Sequence, residues 1–331
     1  MDKATRHTIL QSGVNLLSKL ESAGFSPVML ALFVLLAVIP LFLGDEYVMR
    51  LMVVSLLLGG QAMLFDFTAS SIDIINFGFA GFVGLGAYTS GLLAIKLGLS
   101  PWIGLPAAAI ASGAVGLLTG LLTLRLRGIY AAVMAWFVGL SLMAIASAWI
   151  GLTRGTRGIN VPFLLDTAAM RPYYYVLLPV VLLIYIALAM INKSKLGLAF
   201  RAIGQNVEAA QASGINPTRF KVLNWTTSTA FAGLLGGFYG HFIGILIPSV
   251  MATDRTVEVL ALSYIGGPGS LWGGILAAFL VTPIFDYLKS LMEFRLIIYA
   301  GLLGATIVFY PDGLAGTLRG LLDNIKTKMR R

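Results

Sequence analysis

Few side chains in this sequence could perform catalysis or bind a metal ion. The chain of 331 residues contains two histidines, His7 and His241, and no cysteine. Disulfides and thiolate metal sites are therefore excluded, and two imidazoles are too few for a histidine metal cluster. The sequence also lacks the phosphate-binding pattern G-x-x-x-x-G-K-[ST], so we expect no nucleotide site of that kind and no cofactor.

The polar residues with the most informative spacing lie in the loop 192–221, which is too polar to cross a membrane. Asn206 can cap a short helix, and Glu208 falls in the first turn, where the helix dipole favours an acidic side chain. Gly214 can adopt the left-handed conformation that ends a helix. These residues predict a short helix at about 207–213 whose small side chains suit docking into a groove of another protein. An ordinary interfacial helix is the alternative.

Other polar residues occur beside apolar segments. Asp66 and Asp73 are expected near the inner ends of their spans, because a carboxylate at the bilayer centre costs ~2.5–3.5 kcal/mol on insertion scales. There they would be solvated or would cap a loop, and a contact with a cationic group is the alternative. His241 is expected to form hydrogen bonds inside the bundle rather than to relay protons.

The composition predicts a membrane protein. Of the residues, 58% are apolar and 11% are charged, against roughly 45–50% and ~25% in soluble domains. The net charge of +9 does not predict nucleic-acid binding, because the basic residues occur in short segments between apolar runs and near the C-terminus, as membrane topology alone would produce.

Runs of about the length needed to span a bilayer predict an all-α, polytopic membrane helix bundle of about ten transmembrane or broken helices. The runs are 28–44, 48–65, 74–95, 102–124, 129–151, 173–191, 222–247, 271–288 and 296–311. We divide the chain into a cytoplasmic or interfacial segment 1–27, one transmembrane domain 28–316 and a basic tail 317–331. Gly236, Gly240 and Gly244 form a row of small residues at helical spacing, which favours close helix packing.

The distribution of Lys and Arg predicts the orientation. The N-terminal segment, the loop 192–221 and the C-terminal tail are all basic and are expected in the cytoplasm. An even number of crossings must then follow Lys221. We therefore expect the stretch around 253–265 to cross as a short or broken helix that turns at the Gly-rich sequence 266–270; a re-entrant segment is the alternative.

Four motifs, in this order, resemble LivM-type permeases of branched-chain amino acid ABC importers (the LivH/LivM family). The resemblance covers most of the chain from about Gly59 onward. The first resembles the external segment of that family, the second its coupling loop with Glu-Ala-Ala, the third its Gly-Gly-x-Gly-Ser turn and the fourth its C-terminal Pro-x-Gly-Leu. They are Thr153–Ile159, Gly197–Trp225, Gly266–Gly273 and Pro311–Leu314.

The resemblance implies a pathway subunit in the bacterial inner membrane, without an ATP site and not itself an enzyme. Its partners would be a second homologous permease chain, two ABC ATPase subunits that bind the ATP, an external solute-binding protein and membrane lipid. The ATPases would push on the short helix after 206 and switch the bundle between outward and inward access. The residues that would couple to them are Asn206, Glu208, Ala209, Ala210, Gly214 and Ile215.

The segment Ser70–Phe79 departs from the family pattern, because Asp73 replaces a glycine and Phe79 replaces a histidine. If this segment lines the pathway, the solute differs from a plain branched-chain amino acid; urea, short amides and small carboxylates are alternatives. The candidate pathway residues are Asp73, Asn76, Phe79 and Tyr88.

Two other classes of protein are alternatives. An ion-gradient-driven secondary transporter would need acidic residues or broken helices near the membrane midplane, and paired acidic residues are absent from the middle of the predicted spans. A membrane-embedded enzyme would need a constellation of histidines or carboxylates that the sequence does not offer. Co-purification separates the ABC permease from the secondary transporter, since only the ABC permease requires an ATPase subunit.

Overall fold

The fold is given by a computed structural model that describes residues 27–123, 126, 128–167, 169–287, 298, 301, 304, 308–310, 312–318 and 320. The predicted N-terminal segment up to residue 26, most of the apolar run 296–311 and the basic tail beyond residue 320 lie outside the described residues.

The described residues form a helical bundle with one short pair of strands. The helices are α1 (Pro27–Phe42), α2 (Glu46–Ile72), α3 (Phe79–Leu97), α4 (Pro101–Thr123), α5 (Ile129–Ala148), α6 (Ile150–Thr153), α7 (Met170–Lys193), α8 (Lys195–Gln205), α9 (Val207–Ala212), α10 (Pro217–Ile243), α11 (Thr253–Gly266) and α12 (Gly273–Tyr287). The strands β1 (Ile159–Asn160) and β2 (Ile245–Leu246) pair antiparallel, with Ile159 opposite Leu246.

Five of the described helices, α2, α3, α4, α5 and α7, are long and apolar enough to cross a membrane. Of the most apolar part of α2, 72% is buried in the bundle, whereas for α5 the share is 28%. Large apolar side chains such as Ile110, Leu122 and Ile129 are exposed on α4 and α5. Because so much apolar surface is unfavourable in water, these helices are the ones that face lipid or another apolar partner.

The helix α10 packs against α3 and α4 through glycines. A Cβ on Gly236 would overlap the carbonyl group of Val83, so the two backbones are in direct contact there. A Cβ on Gly240 would lie 3.4 Å from Ala87, which is an ordinary contact. Gly244 has a φ of 78° and ends the helix by donating its N–H to Gly240 at 3.0 Å. The predicted glycine row thus combines one close packing contact with one helix end.

The two ends of the bundle differ in composition. At the end that carries β1 and β2, here called the strand end, Glu46 accepts a hydrogen bond from the N–H of Met170 at 2.8 Å, and Tyr47 donates one to Asp286. The opposite end, here called the loop end, carries α8, α9 and the start of α10. Basic residues are frequent in its segment 192–221.

The stretch after α10 is broken into an irregular segment and a short helix. The residues between α10 and α11 form β2 and a 3-10 turn, Pro248–Met251, and Leu246 is fully buried. Irregular backbone at membrane depth is tolerated where protein covers it. The helix α11 then runs from the centre of the bundle to the Gly-rich turn at the loop end, and α12 returns beside α2, with Gly274 against Ala62. The described bounds of α11 agree with the predicted short helix at 253–265.

Candidate functional site

The coupling segment, here 192–221, is built from two capped helices. Ser194 accepts the N–H of Leu196 at 3.1 Å at the start of α8. Asn206 has extended backbone dihedrals, and its Oδ1 accepts the N–H of Ala209 at 2.8 Å, which caps α9. Glu208 occupies the first turn of α9. The predicted cap is therefore formed, and α9 ends at Ala212, one residue before the predicted end.

The end of α9 has the hydrogen bonds of a left-handed helix stop. Gly214 has a φ of 83°, and its N–H donates to Gln211 at 3.0 Å. The N–H of Ile215 donates to Ala210 at 3.0 Å, which satisfies a second terminal carbonyl. Asn216 then caps α10 by accepting the N–H of Arg219 at 3.2 Å. A non-glycine residue is disfavoured at 214 by its backbone angle alone, because no atom lies within 4 Å of a Cβ there.

The surface of α9 is small, exposed and firmly supported. Glu208, Ala209 and Gly214 are exposed, whereas Ala210 is buried against the bundle. Support comes from α8, where the buried ring of Phe200 packs edge-to-face on Phe67 of α2, with ring centroids 6.0 Å apart. A force applied to α9 would therefore reach α2 through packed side chains.

A central cavity of about 180 Å³ lies among α2, α3, α10, α11 and α12. Its lining is mixed, and the polar lining residues are together called its polar wall. The apolar residues include Val54, Leu57, Leu58, Val83, Phe242 and Phe285, and the polar residues are Gln61, Tyr239, Asp254, Arg255, Glu258, Thr282 and Asp286.

Charges of both signs line this cavity. The guanidinium of Arg255 lies 3.2 Å from the carboxylate of Glu258 one turn along α11. Asp254 precedes this pair, and Asp286 accepts a hydrogen bond from Tyr47 across the strand end of the cavity. Such an arrangement can hold a small solute that carries a carboxylate, an ammonium group and an apolar side chain.

The residues predicted for the pathway do not share one cavity. Asn76 is buried and accepts the N–H of Gly78 at 3.1 Å, so it shapes the turn before α3. Phe79 is fully buried and packs edge-to-face on Phe65, and Tyr88 is buried in a separate apolar cluster. Asp73 ends α2 and lines a second cavity at the loop end. Their role in transport stays a prediction.

Asp66 and His241 are both deeply placed. Asp66 is 2% exposed, and its Oδ1 accepts the N–H of Gly269 at 2.8 Å, so it caps the Gly-rich turn, which is the loop-capping role expected for it, and it is buried rather than solvated. His241, as expected, is hydrogen-bonded inside the bundle. Its Nε2 lies 2.7 Å from Ser90 Oγ and its Nδ1 lies 2.7 Å from the carbonyl oxygen of Pro162. Because that carbonyl can only accept, Nδ1 carries the proton toward it.

The sequence interpretation missed the polar wall of the central cavity. Its signal was present, since Asp254, Arg255 and Glu258 occur at i, i+1 and i+4 in a stretch expected to cross the membrane. Charged residues within such a segment are expensive unless they face a polar cavity or one another, which marks them as functional candidates.

The comparisons with known proteins agree with this architecture. The family model for the branched-chain amino acid transport system / permease component matches residues 47–311. The chain is 29% identical over 269 residues to the high-affinity branched-chain amino acid transport system permease protein LivM of Salmonella typhimurium, a match that covers 73% of this chain and 63% of that protein.

More distant relatives match with different coverage. A probable branched-chain amino acid transport permease protein LivH of Methanocaldococcus jannaschii is 26% identical, over 83% of this chain and 93% of that protein. The autoinducer 2 import system permease protein LsrC of Escherichia coli is 25% identical, over 78% of each chain. No solved structure matches the chain significantly. Because the family model covers 47–311, which includes both the coupling segment and the central cavity, this chain belongs to the family of branched-chain amino acid transport system permease components.

Proposed function

We propose that this chain forms part of the translocation pathway of an ABC importer for small solutes and that separate ATPase subunits drive it through α9. The observation that carries the proposal is the coupling segment itself: a capped helix with a small exposed surface, attached to the core through Phe200 and Phe67. Membership of the permease family supports it. In this account the chain binds no ATP and performs no chemistry on the solute.

The proposed partners are a second homologous permease chain, two ABC ATPase subunits and an external solute-binding protein, with lipid around the bundle. The exposed apolar surface of α4 and α5 offers a contact for lipid or for the second permease. We place the loop end on the cytoplasmic side of the bacterial inner membrane, because its segment 192–221 is basic and because ATP is cytoplasmic. Both chain termini would then be cytoplasmic.

The proposed solute is a branched-chain amino acid or a closely related zwitterion. The central cavity supports this choice, since Arg255 can attract a carboxylate, the acidic residues around it can attract an ammonium group, and Leu57 and Phe285 offer apolar contacts. The names of the two Liv relatives agree with it, whereas LsrC is named for the import of a different solute, autoinducer 2. In this proposal the polar wall of the central cavity recognises the solute, and the segment Ser70–Phe79 does not.

Replacing Gly214 by valine tests the coupling role. A β-branched residue is strained at a φ of 83°, so the end of α9 should rearrange while the membrane-embedded part stays folded. We expect Gly214→Val to lower ATP-dependent uptake at least tenfold in reconstituted vesicles, with ATP hydrolysis no longer stimulated by the loaded binding protein.

The matched control is Gly98→Val. Gly98 ends α3 at the strand end with a φ of 63°, and no atom lies within 4 Å of a Cβ there, so the local strain is similar but lies far from α9. Uptake by Gly214→Val equal to uptake by the control would contradict the coupling role.

A further inference from the structure

A second cavity, distinct from the central cavity, lies at the loop end and is here called the acidic cavity. It has a volume of about 420 Å³ and lies between the ends of α2, α8 and α11 and the Gly-rich turn. Asp66 and Asp73 line it, together with the hydroxyl-bearing residues Ser70 and Tyr264. Among the described residues no Lys or Arg lines it, although the chain as a whole has a net charge of +9.

One carboxylate oxygen in this cavity is buried without a partner. Asp66 is 2% exposed, and its Oδ1 accepts the N–H of Gly269 at 2.8 Å. Its Oδ2 is buried and has no hydrogen-bond partner within the part of the chain that the structure describes. A buried carboxylate is costly unless a donor or a positive charge satisfies it. An incoming cation would supply that charge.

The second carboxylate belongs to a residue in an uncommon conformation. Asp73 ends α2 with a φ of 53°, in the left-handed region that Asp tolerates better than most residues. The carboxylate of Asp66 and the phenol of Tyr264 line the same cavity as Asp73. The two carboxylates therefore act on one small volume, and their mutual repulsion favours a positive charge between them.

We propose that the acidic cavity binds one small monovalent cation through carboxylate and hydroxyl oxygens. Hard cations prefer oxygen ligands. Divalent sites built from protein side chains alone usually contain three or more acidic or histidine ligands, and the described residues contain no such cluster, whereas a monovalent ion needs fewer charged ligands. The cation is either Na⁺ or K⁺ from the cytoplasm or the ammonium group of a solute that leaves the bundle.

The position of the cavity gives the cation a structural consequence. Gly204 lines it one residue before the end of α8, and Asn206, the cap of α9, follows directly. Pro268 and Gly269 line the opposite side. A cation held by Asp66 and Asp73 would lie between the end of α8, which leads into α9, and the Gly-rich turn. Binding of Na⁺ or K⁺ does not depend on the proposed transport function, whereas binding of a solute's ammonium group rests on it.

The test is the unfolding temperature of the purified full-length chain in lipid nanodiscs, with KCl, NaCl or N-methyl-D-glucamine chloride at equal ionic strength. N-methyl-D-glucamine serves as the large organic reference cation. We expect at least one of the small ions to raise the unfolding temperature by about 2 °C or more, since a ligand that binds the folded state stabilises it.

Two variants test the site itself. Asp66→Asn keeps an oxygen acceptor for Gly269 but removes the charge, and Asp73→Asn keeps a residue that tolerates the left-handed conformation. We expect each to abolish most of the stabilisation by the small ion. Asp166→Asn, which removes an exposed acid from the strand end, should retain it.

The two sources of the cation are separated by a further arm in N-methyl-D-glucamine buffer. If the ammonium group is the occupant, leucine should stabilise the wild-type chain in a manner that requires Asp66 and Asp73, whereas 4-methylpentanoate, which lacks the ammonium group, should not. An unfolding temperature that is the same in all salts and with leucine would overturn the proposal. A cation effect that Asp66→Asn leaves unchanged would also overturn it, as would an unfolding temperature that depends on pH but not on the cation.

Discussion

Arg255 and Glu258 are the residues on which the proposed recognition of a zwitterion rests. Their side chains lie 3.2 Å apart on α11 and face the central cavity, and the side chain of Arg255 is 49% exposed. The guanidinium is therefore accessible to a solute, which could replace Glu258, whose side chain is 19% exposed, as its partner.

Arg255→Gln is predicted to lower the uptake of an amino acid by about tenfold or more, because a hydrogen bond to a charged group contributes roughly 1.5–3 kcal/mol. The measurement is the initial rate of uptake in vesicles that contain all subunits. Lys96→Gln, which removes an exposed positive charge on α3, serves as the control. Equal uptake by the two variants would show that Arg255 does not contact the solute.

At the scale of single residues, the sequence predicted local roles well and distant contacts poorly. The cap at Asn206 and the helix stop at Gly214 depend on neighbours within a few positions, and both were predictable. The bond from Gly269 to Asp66 joins residues 203 positions apart. No local pattern could reveal this partner, so the sequence predicts a solvated or loop-capping Asp66 but not that the capped loop is the Gly-rich turn or that the side chain is buried.

At the scale of elements, the glycines of α10 set how closely the helices pack. Gly236 touches the backbone of α3 at Val83, whereas Gly240 leaves room for a methyl group beside Ala87. The sequence pattern predicts the same packing role for both glycines, because spacing along a helix does not tell which residue faces the nearest backbone.

We predict that Gly236→Ala lowers the unfolding temperature and that Gly240→Ala leaves it unchanged or raises it. Overpacking at Gly236 costs about 1–3 kcal/mol, which exceeds the gain of about 1 kcal/mol in helix propensity that alanine brings at either position. Thermal unfolding in one detergent measures both variants. The packing account fails if the two substitutions destabilise the protein equally.

The lengths of the apolar runs predicted most of the helix ends to within a few residues, and the number of crossings that the charges require predicted the short α11. The main differences concern polar segments. In the coupling segment the sequence predicts one helix, whereas the structure has two. The additional helix, α8, buries only one face, so its sequence is too polar to stand out as an apolar run. The strands β1 and β2 have two residues each and carry no periodic signal.

At the scale of the whole molecule, the bundle contains two polar cavities at different positions along its length. The central cavity faces the strand end through Asp286, and the acidic cavity lies at the loop end beside α8. The helix α11 contributes to both, through Arg255 and Tyr264. The helix α11 therefore links the polar wall of the central cavity to the acidic cavity at the loop end.

The requirement for a separate ATPase tests this account most directly. Vesicles would contain this chain, its proposed permease partner and the binding protein, with or without the two ATPase subunits, and labelled leucine uptake would be followed after ATP is supplied on the loop-end side. We predict uptake against a gradient only when the ATPases are present and can hydrolyse ATP, with an imposed ion gradient having no effect. Equal uptake without the ATPases, driven by an ion gradient, would contradict it.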